Sequence, residues 1–237
     1  MNYIIFALTV LLIAIMLMIL KSLRIPMSIR KAEELFAEND LNGANELVKI
    51  VLNKKRNYVP AMYLKARILM QRGQYLLAIH ELNEMMALSD FKKHVNELEV
   101  HYHLAGLYNQ TQNYVKEIDE YKAILEFNPD DIKANHRLGH AWYQQKNYKN
   151  ARENFLKVAV LDPRIEDIFL PLGVSCFKTS DYQKAEVYLL KASELKKDLP
   201  EVQFYLGSIY KMKKDYENAY LTLDNAKKDK KFFVKSL

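Results

Sequence analysis

The side chains of this sequence that could hold a metal or drive a reaction are few. His136 and His140 stand four residues apart, which on a helix puts both imidazoles on one face, the spacing of a two-histidine metal site. No His-Glu-x-x-His motif goes with them. The preceding pair, His101 and His103, is two apart and points to different faces of a helix. Polar surface lining is therefore the expected role of all four, with no metal. The single cysteine, Cys176, rules out an intramolecular disulfide and a four-cysteine zinc site. The nucleophile elbow Gly-x-Ser-x-Gly, the Walker loop and the Gly-x-Gly-x-x-Gly phosphate cradle are all absent. Carboxylates are plentiful, but they fall at salt-bridge spacings. No catalytic residue and no cofactor is expected, and the chain reads as a non-enzyme.

The elements that would position these residues are helices. Of 237 residues half are apolar, so a sizeable core is affordable, while only 6 Gly and 6 Pro leave too few turn formers for an all-β sandwich. The net charge of +6, from 35 basic and 29 acidic residues, is too mild for a dedicated nucleic-acid binder. It leaves contact with an anionic membrane or an acidic partner open.

Aligning the chain on itself reveals a period of 34 residues. Leu104-Ala105, Leu138-Gly139, Leu172-Gly173 and Leu206-Gly207 form one column. Tyr114, Tyr148, Tyr182 and Tyr216 form a second; Ala151, Ala185 and Ala219 a third; Tyr121, Phe155, Leu189 and Leu223 a fourth. Each unit reads as two amphipathic helices joined by a short polar turn, such as Gln145-Lys146-Asn147 or Thr179-Ser180-Asp181. The small residue of the first column belongs where the paired helices approach most closely, and the alanine of the third is its counterpart. Pro129 and Pro163 stop the second helix of their units. Pro171 is expected in the first turn of a first helix, where proline is better tolerated. Cys176 replaces a large apolar residue and should pack as a small hydrophobe.

The period and these columns resemble the tetratricopeptide repeat (TPR), most fully in Ile132 to Ile165, with Leu138-Gly139, Trp142, Tyr148, Ala151, Phe155 and Pro163. The resemblance implies an all-α, right-handed superhelical solenoid of about six helix-turn-helix repeats, starting near residues 25, 59, 98, 132, 166 and 200 and extending over 25–233. About five extra residues, near Ser89 to Glu97, interrupt the period. In this family partners lie along the first helices. Carried onto this chain, the lining includes Tyr63, Arg67, Tyr102, Asn109, His136, His140, Tyr143, Val174, Phe177, Phe204 and Lys211. That surface suits a peptide or helix of another protein. The positions some TPR domains use to clamp a C-terminal carboxylate hold Ile29 and Glu33, so that role is not implied.

Before the repeats, the eighteen residues from Tyr3 to Leu20 carry no charge, close to the roughly 20 that span a bilayer. Nothing basic precedes them, and no small-x-small cleavage pattern follows. Residues 1–24 are expected to be a retained single-pass anchor with its basic flank. Lys21, Arg24, Arg30 and Lys31 place that flank, and the repeats, in the cytoplasm by the positive-inside rule. An inner-membrane scaffold that recruits proteins and assembles a membrane complex is the function implied. Two alternatives share the architecture: a subunit of an envelope machine such as the periplasmic collar of spirochaete flagellar motors, and a regulator of envelope or lipopolysaccharide assembly, though the cysteine-rich module of the latter is missing. A short tail, 234–237, follows the repeats. Lys227, Lys228, Lys230, Lys231 and Lys235, with Phe232 and Phe233, could touch anionic lipid. No capping helix follows the sixth repeat, which leaves an apolar end open to a partner or to a second copy of the chain.

Overall fold

The computed structural model describes residues 2–196 and 199–227, with side chains at 11–18, 24–196 and 199–226. Of the basic and aromatic stretch only the Lys227 backbone falls among these residues; the rest of it and the tail lie outside them. Among the described residues there are twelve α-helices and no strand: α1 (Asn2–Ala37), α2 (Leu41–Lys54), α3 (Val59–Gln71), α4 (Tyr75–Met86), α5 (Glu97–Gln110), α6 (Tyr114–Phe127), α7 (Ile132–Gln144), α8 (Tyr148–Leu161), α9 (Phe169–Lys178), α10 (Tyr182–Leu195), α11 (Pro200–Met212) and α12 (Tyr216–Lys227). The chain is an all-α helical repeat array. It divides into two compact units, Met1–Thr111 and Gln112–Leu237.

The Tyr column marks where second helices begin. Tyr114, Tyr148, Tyr182 and Tyr216 are the first residues of α6, α8, α10 and α12. Before three of them an Asn or Asp caps the helix: Asn113, Asn147 and Asp181 accept from the backbone N–H of Lys116, Asn150 and Lys184. Asp215 does the same for Asn218, and in the first unit Asp40 does so for Gly43. One residue earlier the backbone turns left-handed, at Asn39, Gly73, Gln112, Lys146, Ser180 and Lys214. Only Gly73 is a glycine, so five of these turns hold a side chain at a φ that disfavours one. Lys146→Gly is therefore expected to stabilise the fold by about 0.5–1 kcal/mol, read as a higher urea midpoint at unchanged slope. A lower midpoint would show that the lysine makes a contact worth more than the strain.

The small-residue column is explained by distance. A Cβ on Gly139 would stand 2.7 Å from Phe155 Cε1, and one on Gly173 would stand 2.8 Å from Leu189 Cγ and 3.1 Å from the Leu189 backbone nitrogen. The fourth column thus meets the first across α7–α8 and α9–α10. Phe155, Leu172, Leu189 and Cys176 are all fully buried in the core of the second unit. Burial pushes the Cys176 thiol up to about 11, so it packs as an inert hydrophobe.

Proline placement follows hydrogen-bond supply. Pro129 and Pro163 lie two residues beyond the ends of α6 and α8. Pro171 is the third residue of α9, where a helix N–H has no intrahelical acceptor to lose. A 3-10 turn, Glu166–Ile168, leads into that helix. The residues that break the period in the first unit form another, Phe91–Lys93, which drives Phe91 and Val95 into the core of that unit.

The first helix spans the expected boundary between anchor and first repeat, running without interruption through Arg24 and Ile25. Its C-terminal part packs Ile29, Ala32, Leu35 and Phe36 in one cluster with Ala44, Val48 and Val51 of α2. Among the described residues no helix is long and apolar enough to cross a membrane. Ten of the eighteen residues of the uncharged run, Tyr3 and Leu20 among them, have side chains outside the described set, as does Lys21. Arg24 is exposed.

Candidate protein-binding face

In the first unit the first helices α1, α3 and α5 bring together Phe36, Tyr63, Arg67, Glu99 and His103. The Arg67 guanidinium lies 4.6 Å above the Phe36 ring and 5.8 Å from that of Tyr63. Tyr63 and His103 have ring centroids 5.9 Å apart. Burial, and then the Glu99 carboxylate, raise the pKa of the Tyr63 hydroxyl. Tyr102 is half-buried and Asn109 exposed.

In the second unit the convergence is tighter. The Tyr143 hydroxyl of α7 donates to Glu201 Oε1 of α11 at 3.3 Å, reaching across a whole repeat. Phe177 of α9 stands 5.0 Å from the Tyr205 ring and 5.5 Å from Tyr182, while Tyr143 meets Tyr148 edge-on at 5.7 Å. Phe204 touches Tyr205 at 5.3 Å, and Lys178 Nζ lies 5.6 Å from the Tyr205 centroid. A half-buried carboxylate therefore sits among aromatic side chains from three successive first helices. Burial raises the Glu201 pKa above the usual carboxylate range despite the Tyr143 hydrogen bond. Burial and the Glu201 charge push Tyr205 up to about 12. Lys211 is exposed.

The sign of the Glu201 shift gives a pH prediction. With its folded pKa above its unfolded value, the folded chain holds the carboxylate at a cost wherever it is ionised. That cost is relieved as pH falls through the folded value towards the unfolded one, about 4.3. Glu201→Gln keeps an acceptor for Tyr143 and removes the charge. It is expected to melt above the wild type at pH 7, with the two curves converging near pH 4. A Gln variant that melts lower at pH 7 would mean that the charge is matched by a cation.

His136 and His140 do share a face of α7, with ring centroids 4.7 Å apart. Their third neighbour is Asp167, in the turn before α9, whose Oδ1 lies 2.9 Å from His136 Nε2. His101 and His103 belong to the other unit.

One expected lining residue is corrected. Val174 is 1% exposed and belongs to the core cluster of the second unit. As an aliphatic side chain it gains by burial, whereas His140 and Ser208, one repeat away on either side, stay half-buried. Conversely Asp167 and Glu201, each the second residue of an expected repeat and 34 apart, belong to these clusters without being among the expected lining, as do Tyr205 and Phe36. The repeat period itself is the signal that could have found the two acids.

Comparison with known proteins bears on the fold. Residues 132–164 match the tetratricopeptide repeat. No curated protein sequence matches the chain. Among solved structures, YrrB, described as a TPR protein with an unusual peptide-binding site, superposes with a TM-score of 0.63 at 19% identity, covering 74% of this chain and 88% of its own. MamA gives 0.62 at 18% identity, over 83% and 97%. A form of MamA from Desulfovibrio magneticus gives 0.60 at 18% identity, over 73% and 94%. These likenesses establish the fold.

Proposed function

We propose that this chain, a tetratricopeptide-repeat protein in fold, is a non-catalytic scaffold. Its first-helix faces take a peptide or helix of a partner protein, and residues 3–20 fix it to a membrane. The observation that carries the binding reading is the cluster around Glu201, where Tyr143, Phe177 and Tyr205 from three repeats meet. Aromatic side chains offer large contact area at low entropic cost and are common interface anchors. YrrB, similar in fold, is described as having an unusual peptide-binding site, and this chain is proposed to bind a peptide or helix as well. Tyr63, Arg67, Tyr102 and Asn109 extend the lining in the first unit, and His136, His140, Phe204 and Lys211 in the second.

The membrane reading rests on the uncharged run, and on one feature of α1. All eight described residues from Leu11 to Met18 are exposed, on every side of the helix. Such a surface is stable only against lipid or another apolar surface. The four basic residues that follow support a cytoplasmic position for the repeats.

Site-specific photocrosslinking in native membranes tests the binding face. A crosslinker placed at Tyr102, Tyr143 or Phe204 should capture the partner. One placed at Val160 or Val187, on the second helices α8 and α10 and 82% and 52% exposed, should not. Capture only from Val160 and Val187 would move the binding site to the second helices and end this reading.

A further inference from the structure

We infer that His136, His140 and Asp167 form a binding site for a single divalent transition-metal ion. The two imidazoles project from one face of α7, and the carboxylate comes from the turn Glu166–Ile168 of the next repeat. One ligand atom from each of the three residues lies within 4.8 Å of the other two. His136 Nε2 and Asp167 Oδ1 are already 2.9 Å apart. Donors bound at about 2.0–2.1 Å around a tetrahedral ion stand roughly 3.3 Å from one another. The remaining gap is one that small rotations of an imidazole and an exposed carboxylate can close.

The surroundings suit an ion as well as the donors do. The His140 ring is held edge-on against Phe155, with centroids 5.0 Å apart, so its orientation is set by the core. The Asp167 side chain is 64% exposed and that of His136 only 15%, so the cluster opens to solvent on the carboxylate side. Solvent can enter there, and water would complete the coordination. Two nitrogens and one oxygen select an ion of the zinc, cobalt, nickel or copper class over magnesium or calcium, which prefer all-oxygen sites. A bound ion would tie α7 to the lead-in of α9.

The test uses the full chain, free of any histidine tag, titrated with zinc alone in competition with a chelating dye and with cobalt alone by visible absorption. Expected are one equivalent bound, a cobalt band of low-coordinate type, and at least a tenfold loss of affinity in Asp167→Asn and in His140→Ala. Asp167 is exposed, so its variant keeps the fold. Zinc should raise the melting temperature of the wild type and raise that of Asp167→Asn much less. Absence of stoichiometric binding overturns the inference. So does unchanged affinity in the His136→Ala, His140→Ala double variant, which would place the ion on His80, His94, His101 or His103.

Discussion

Replacing Phe155 by alanine is expected to destabilise the second unit by about 3–5 kcal/mol, the usual cost of removing a fully buried aromatic ring. Phe155 is 0% exposed and is the largest wholly buried side chain among the described residues. It fills the space left by Gly139 and backs the His140 ring. In a repeat array such a loss is felt first by the unit that contains it and its neighbours. Urea unfolding followed by circular dichroism should therefore separate into two transitions in the variant, the earlier one from the second unit. The glycine provides a check on mechanism. Gly139→Ala alone should cost about 1–3 kcal/mol, because its Cβ would fall 2.7–2.8 Å from ring atoms of Phe155. In a Phe155→Leu background those ring atoms are gone, and alanine recovers up to about 1 kcal/mol of helix propensity. The two substitutions should couple by at least about 1 kcal/mol. Additive costs would mean that the close approach of α7 and α8 is not what keeps this column small.

That coupling also explains what could be read from the sequence. The Leu-Gly, Ala and Phe columns repeat because each obeys a contact inside one helix pair, a few residues to either side of a short turn. Such contacts leave a periodic trace, and helix pairs, turns and the packing of Cys176 and Pro171 could be read from it. The cluster around Glu201 left less trace. Tyr143 meets Glu201 across 58 residues and His136 meets Asp167 across 31, so both pairings depend on the register between repeats and not on any one pair. Val174 departs from the expected lining for a related reason. Its column holds His140 in the preceding repeat and Ser208 in the next, and only the packed structure tells that the valine in between turns inward. The continuity of α1 is hidden in the sequence because its character changes at Lys21, from apolar to charged, and because Pro26, the poorest of helix formers, nevertheless lies inside the helix.

The last expectation concerns that helix. In washed membranes the wild-type chain should resist alkaline carbonate, and Ile13→Arg should release a large share of it. On the insertion scale an isoleucine at the centre of a span contributes about −0.3 to −0.6 kcal/mol and an arginine about +2.5 to +3.5, a swing of roughly 3–4 kcal/mol. At about 1.4 kcal/mol per tenfold change, that is a shift in partition on the order of 100-fold or more. Ile13 is 55% exposed in the isolated chain and so makes few contacts there that an arginine would break. The variant should unfold at the same urea concentration as the wild type, which separates loss of anchoring from loss of fold. A second arginine at Met16, also 55% exposed and three residues on, should complete the release. A wild-type chain that carbonate strips from the membrane would assign the apolar surface of Leu11 to Met18 to another protein instead of lipid. The same two arginines would then be expected to abolish that partner's co-purification.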